Sequence, residues 1–275
     1  MVDLQASIDE VPLAFLDVET TGLEPEYGHR ICEIAVQRCC GETVTGAWQE
    51  LIDPQRQVSP GAYAVNGISE ALLRDKPTFD KVFDRVLALT SGAVLVGHNL
   101  PFDLGFLDAE FRRLGLPWPQ AVMLDTLPLA RHLYHLPRNS LDELVRVLNL
   151  HIEERAHRAM GDVLRTRALF YHMVDDLWPR GVRTLGDYVR AQGGEISYRR
   201  APELPVPPLV AEALQGQCLL RLRYLDAYGG VTERVVRPIS VAGRGGNLVL
   251  VAYCHLREAE RSFRLDRILE MELVK

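Results

Sequence analysis

The sequence holds no C-x-x-C pair, and its cysteines are few: Cys32, Cys39, Cys40, Cys218 and Cys254. An odd count without paired spacing argues against a zinc site and a disulfide framework, and fits a reducing cytoplasm. No apolar run is long enough to span a bilayer, so no membrane partner is expected. The first residues carry acids and no early basic residue, unlike a secretory signal. No internal repeat and no low-complexity tract occurs. The chain also lacks an excess of positive charge: its net charge is −6 over 275 residues. From Ala201 onward it holds 10 basic and 9 acidic residues, so the acidity belongs to the first part. Such a chain is no bulk electrostatic binder of nucleic acid, and a phosphate-handling site would need bound metal or a local basic patch. What remains is ordinary globular composition, 47% hydrophobic and 25% charged, with room for one large domain or two smaller ones.

One stretch organises the rest: Ala14-Phe15-Leu16-Asp17-Val18-Glu19-Thr20-Thr21-Gly22-Leu23. It begins as an apolar strand and ends in two carboxylates. Side chains two apart on a strand point the same way, so Asp17 and Glu19 repel each other. No Lys or Arg lies between Ala14 and Leu23, and a divalent cation with oxygen ligands is the natural partner. Taken alone, the pair reads equally well as a strand end reaching solvent.

The spacing predicts a strand over Pro12–Asp17, a hairpin of strands over Ile31–Arg38 and Thr43–Ile52, and helix starts at Ser59 and Ser69. A helix follows over Thr78–Leu89, and a buried strand over Ala93–Gly97. Pro101 suits the first turn of a helix running to about Leu114. Further helices are expected over Asp125–His135, over Ser140–Leu148 with Ser140 and Glu143 as a capping box, and from the segment carrying Asp162 to about Asp176. Strands first, then helices alternating with a strand, give a mixed α/β sheet in a domain over 1–178. A linker with a short helix and four prolines between Pro202 and Pro208 is expected over 179–208. Strand-like runs at Cys218–Leu225, Val231–Val241, Leu248–His255 and Ile268–Val274 then make 209–275 a small all-β module.

Two more carboxylates join the first pair. Asp103 follows the buried strand in His98-Asn99-Leu100-Pro101-Phe102-Asp103. His157 and Asp162 stand five apart, with Gly161 before the aspartate. Alone, Asp103 reads as a helix cap, Asp162 as a surface acid, His157 as a solvated residue and His98 as either structural or substrate-contacting. Asp125 reads as a cap or an orienting group. The joint pattern changes the balance for five of these residues. Asp17, Glu19, Asp103, His157 and Asp162, with the flanking runs FLDVETTGL, RICEIAV, HNLPFDLGFLDAEF, LDTLPLAR and NSLDEL, resemble the DEDDh 3′→5′ exonucleases, the family of the proofreading subunit of bacterial replicative DNA polymerase.

That resemblance implies a ribonuclease-H-like fold and two Mg²⁺ or Mn²⁺ ions held by Asp17, Glu19, Asp103 and Asp162, with Asp17 bridging them. His157 would be the general base, and histidine suits that task because its ordinary pKa is about 6.5. The expected products are 5′-mononucleotides released from the 3′ end of a single strand, DNA favoured over RNA. Thr20, Thr21, Gly22, Leu23, His98, Asn99 and Phe102 are the expected substrate contacts. A polymerase or repair complex is implied as a partner. Relatives often have histidine where Asn66 stands. Leu222-Arg223-Tyr224, Arg237-Pro238-Ile239, Leu248–Cys254 and Arg261–Ile268 resemble the WYL domain, a small Sm-like β-barrel of bacterial regulators. The naming Trp-Tyr-Leu triplet is here Leu248-Val249-Leu250. Arg237, Arg257, Arg264 and Arg267 are the residues that could bind nucleic acid or a regulatory ligand there; the alternative is an Arg-rich surface paired with local acids.

Overall fold

The computed structural model describes residues 2–118, 121–150, 152, 157–196, 206–227, 229–244 and 247–274. The chain divides into two units, one of residues 1–23 and 30–199, the other of residues 24–29 and 200–275. The first unit is built on a five-stranded sheet in the order β3-β2-β1-β4-β5. Strands β1 (Pro12–Thr20), β2 (Ile31–Cys40) and β3 (Thr43–Leu51) form an antiparallel meander. Short helices α1 (Pro60–Asn66) and α2 (Glu70–Leu73) and the longer α3 (Phe79–Thr90) lead to β4 (Val94–Gly97), which lies parallel to β1. Helix α4 (Leu100–Arg113) then crosses over to β5 (Met123–Asp125), parallel to β4. Helices α5 (Thr126–Tyr134), α6 (Leu141–Val147), α7 (Ala159–Leu177) and α8 (Leu185–Ala191) complete the unit.

The two-residue period of β1 sorts its side chains between two cores. Ala14, Leu16 and Val18 join one core with α3 and α4 through Val86, Leu104 and Phe111. Leu13 and Phe15 join the other with α7 through Val163, Phe170 and Val174. The same alternation carries Asp17 and Glu19 to the α7 side. Local sequence accounts for the element ends. Ser59 accepts a hydrogen bond from the Ala62 N–H, and Gly67 closes α1 in the left-handed region at φ 67°. The capping box expected at α6 is half realised: Ser140 accepts from the Glu143 N–H, while the Glu143 carboxylate turns to Arg146 at 2.6 Å.

The second unit holds α9 (Pro208–Gln215) and an antiparallel sheet of β6 (Leu219–Leu225), β7 (Val231–Arg244), β8 (Asn247–Cys254), β9 (Ala259–Arg264) and β10 (Ile268–Val274). Its order is β10-β6-β7-β8-β9. Among the described residues β9 and β10 do not pair, so the sheet is open where a closed barrel was expected. Pro208 opens a helix rather than ending a linker: proline suits a first turn, and Val210 and Ala213 bury against Leu220, Leu222 and Val236. The linker expected over 179–208 starts too early: α8 packs into the core of the first unit through Leu185 and Tyr188, and residues 197–205 lie outside the described residues.

A cleft of carboxylates at the end of the central strand

Asp17 and Glu19 stand at the C-terminal end of β1, half-buried, and Asp162 in the first turn of α7 comes to meet them. One carboxylate oxygen from each of the three lies within 4.8 Å of the others. Asp103 sits in the first turn of α4 and is 3% exposed. Its Oδ1 accepts the Val18 N–H at 2.9 Å. Pairing of β1 with β4 runs only from Leu13 to Phe15, so beyond it the β1 amide would lack a partner. Asp103 supplies one and is thereby drawn towards the pair on β1.

Four carboxylates this close disfavour one another's charge. Burial pushes Asp17 well above the ordinary carboxylate range, and Asp103, Asp162, Glu19 and Glu33 push it further. Asp103 is likewise raised, chiefly by burial, against the hydrogen bond from Val18. Burial and then Asp162 raise Glu19 to about 7, while a hydrogen bond with Asn66 works the other way. Burial also raises Asp162. The oxygen-only donor set, the mutual repulsion and the short spans between donors all fit a hard divalent cation.

His157 lies over the same cleft. A cavity of about 200 Å³ is lined by Asp17, His98, Ser140, Asp142, His157 and Asp162. The His157 backbone sits in the left-handed region at φ 57°, and its N–H donates to Asp162 Oδ2 at 3.1 Å. Its ring Nε2 is 3.5 Å from Asp142 Oδ2. Arg165 approaches both acids, at 2.9 Å from Asp142 and 3.7 Å from Asp162. The structure thus brings all five residues of the pattern to one end of the sheet and adds Asp142, Arg165 and Asn66, for which the sequence offered no spacing signal.

The remaining candidates divide. The Thr20 hydroxyl donates to Gly22 O at 2.6 Å, and Thr21 Oγ1 accepts from the Arg30 N–H at 3.0 Å, so both hydroxyls shape the loop itself. Leu23 is 79% exposed beside them. Phe102 is half-buried against Phe106, with ring centroids 5.1 Å apart. His98 has both ring nitrogens engaged, Nδ1 with Thr126 Oγ1 at 2.9 Å and Nε2 with Asn139 O at 3.0 Å. Burial lowers its pKa to about 4, so the ring is neutral near pH 7, with Nε2–H donating to the Asn139 carbonyl. Asn99, at φ 62°, gives its N–H to Asp125 Oδ1 at 2.8 Å.

In the second unit Arg264 is not a free cation. Its guanidinium pairs with Asp266 at 2.6 Å and with Asn247 Oδ1 at 3.0 Å. The exposed Arg237 instead lies over the Tyr253 ring, 5.7 Å from its centroid, across the β7–β8 ladder. Arg257 is exposed in the turn after β8, and Arg267 is half-buried in the turn before β10. Tyr224, a second aromatic, packs edge-on against Phe263 in the core of the unit.

The chain is 32% identical to a DNA polymerase III PolC-type protein of Caldanaerobacter subterraneus over 94% of its own length and 18% of the relative's. It is 39% identical to the DNA polymerase III epsilon subunit of Pasteurella multocida, over 54% of this chain and 62% of that one. The chain therefore spans less than two thirds of the length of either. Among solved structures, exonuclease X in complex with 5′-overhanging duplex DNA superposes with a TM-score of 0.53 at 26% identity, covering 66% of this chain and 99% of that one. The WYL domain profile matches residues 205–273. The exonuclease profile matches residues 14–170, which is most of the first unit and the whole carboxylate cleft, and the chain belongs to the exonuclease family.

Proposed function

We propose that the chain hydrolyses the terminal phosphodiester of a nucleic acid strand from its 3′ end, single-stranded DNA in preference to RNA, releasing 5′-mononucleotides. The observation that carries this reading is the convergence of Asp17, Glu19 and Asp162 within 4.8 Å, in a cleft that His157 also lines. Asp17, Glu19, Asp103 and Asp162 would hold two divalent ions, Mg²⁺ or Mn²⁺. Such ions, when bound, neutralise charge on the attacking and leaving oxygens. The imidazole of His157 takes the proton from the attacking water as its oxygen bonds to phosphorus and the bond to the 3′ oxygen breaks. Exposed Leu23 would wedge against the terminal base, and the backbone of Thr20–Gly22 would meet its sugar and phosphate, since the threonine hydroxyls are already engaged. His98 acts here as a wall of the cleft and not as a proton carrier.

DNA is favoured because two of the relatives are named DNA polymerase III PolC-type and DNA polymerase III subunit epsilon. A polymerase or repair complex is the corresponding partner. The second unit would hold the strand behind the scissile phosphate, with Arg237 and Tyr253 as its charged and stacking groups. The test offers 3′-labelled and 5′-labelled single-stranded DNA and RNA with Mg²⁺, Mn²⁺ or chelator. Stepwise shortening of DNA from the 3′ end, dependent on the ion, is the expected result. Cleavage that persists in chelator would overturn the reading, and faster shortening of RNA would reassign the substrate.

A further inference from the structure

Beneath the cleft lies a fifth carboxylate that the hydrolytic reading does not use. Glu33, on β2, faces Glu19 directly in the β1–β2 register and is fully buried. Arg158 grips it with both arms of its guanidinium: Nη2 lies 2.6 Å from Oε1 and Nε lies 2.9 Å from Oε2. The same Oε2 accepts the Ala159 N–H at 3.1 Å, and Gln49 donates to Oε1 at 2.7 Å. Burial would raise the Glu33 pKa, but the Arg158, Ala159 and Gln49 hydrogen bonds outweigh it and hold the carboxyl below its ordinary range. It is therefore an anion at neutral pH.

The position of this pair matters more than its charge. Arg158 is the N-cap residue of α7, yet its side chain caps nothing on its own helix. Glu33 does that work from β2, taking the first-turn amide of Ala159 that would otherwise be orphaned. Residue 158 is thus fixed twice to the sheet, through its guanidinium and through the amide that follows it. His157 immediately precedes this anchor. Its left-handed backbone is uncommon for a residue with a side chain and is held by its neighbours on the C-terminal side, Arg158 and Asp162.

We infer that Glu33 and Arg158 form a latch that positions His157 over the cleft, so that both are positioning residues acting through the general base. This rests on the reading of His157 as that base. Uniform electrostatic support of the metal carboxylates is a distinct role, and the two roles have different signatures. A bidentate fork restricts orientation as well as distance, and lysine cannot reproduce it. A misplaced base slows the chemical step while leaving substrate and metal binding as they were.

The test uses the full chain carrying Glu33→Gln or Arg158→Lys, each alone and combined with His157→Ala. Steady-state kinetics on single-stranded DNA and calorimetric Mn²⁺ titrations are measured for all. For E33Q the expected result is a fall in kcat of about 10–100-fold with KM unchanged and Mn²⁺ affinity no weaker, since the lost charge only opposed ionisation of the cleft carboxylates. R158K, whose parent side chain is 32% exposed, keeps the charge and should fall in the same direction by less. It also serves if E33Q does not fold. In the H157A background either change should cost less than about twofold, because the residue they position is gone. Equal losses in both backgrounds, or weakened Mn²⁺ binding, would overturn the latch and leave the general-base reading standing. An undiminished rate in H157A alone would overturn that reading and the latch with it.

Discussion

Glu19 titrates near neutrality because burial and Asp162 both oppose its charge. In the unfolded chain the same group loses its proton near the ordinary value of about 4.3. Between these points the folded, metal-free protein holds more protons than the unfolded chain, so its stability falls as pH rises. The penalty is absent below the unfolded value and complete above about 7. Asp17, Asp103 and Asp162 shift in the same direction and add to it. Thermal melts in chelator should therefore show a lower Tm at pH 8 than at pH 5. Mg²⁺ should raise Tm more at pH 8, since the ion binds carboxylates that have already lost their protons. A metal-free Tm that climbs across this range would contradict the repulsion argument. Asp17→Asn removes the most crowded of these charges, and should raise the metal-free Tm at pH 8 while abolishing nucleolysis. His157→Ala leaves the oxygen donors in place, so Mn²⁺ affinity should hold while the rate drops by about 10²–10⁴-fold, with partial recovery at high pH where hydroxide is available.

At the scale of elements, the cleft depends on how two helices are tied to the sheet. Helix α4 carries Asp103, and its N-terminus is held by Asp125 at the end of β5. Asp125 Oδ1 accepts the Asn99 and Leu127 N–H groups and Oδ2 accepts that of Leu100. Burial raises the Asp125 pKa, and these hydrogen bonds oppose the rise. Asp125→Ala strands the buried amides and should destabilise the protein by about 1–3 kcal/mol, with Asp125→Asn costing less. Denaturant unfolding of both variants measures the difference, and an unchanged midpoint for D125A would show that water satisfies those amides. The cap role of Asp125 was legible from its place before an apolar periodic run. Strand β5 was not: its three residues, Met123–Asp125, are too few to show a period. Strand β9 was hidden for another reason, since Glu260, Arg261 and Ser262 leave it no apolar alternation to read. The five-residue pattern was legible because its members sit at the end of a strand or at or just before the start of a helix, where chemistry and local structure leave a joint mark. Glu33, inside the RICEIAV run, and Asn66, a departure from relatives, carried no local sign of their roles, because their partners lie 125 and 46 residues away.

For the whole molecule the difficulty is charge. The chain carries −6, concentrated in the first part, and its proposed substrate is a polyanion. Ions held in the cleft would neutralise the scissile phosphate but not the strand behind it. Of the arginines expected to help, Arg264 directs its charge to Asp266, whereas Arg237 is exposed over Tyr253. A guanidinium against an aromatic ring can take a phosphate with its outer edge while the ring offers a face to a base. In the full chain, Arg237→Ala with Tyr253→Ala should therefore weaken binding of a long single strand and leave hydrolysis of a dinucleotide unchanged, because so short a substrate reaches the cleft alone. Stacking of a base on one tyrosine is worth about 1–3 kcal/mol, so its removal should reduce affinity by about fivefold to a hundredfold. With one fewer cation facing the phosphates, the slope of log affinity against log salt should also become shallower by about 0.7 for a single strand. Arg264→Ala is the control, and with its charge already paired it should change that slope little. A ligand sensor would behave otherwise: the double variant would alter turnover of dinucleotide and long strand alike. Affinities across a salt series for the long strand, set beside kcat and KM for the dinucleotide, separate the two, and an unchanged salt slope in the double variant would remove Arg237 from the path of the strand.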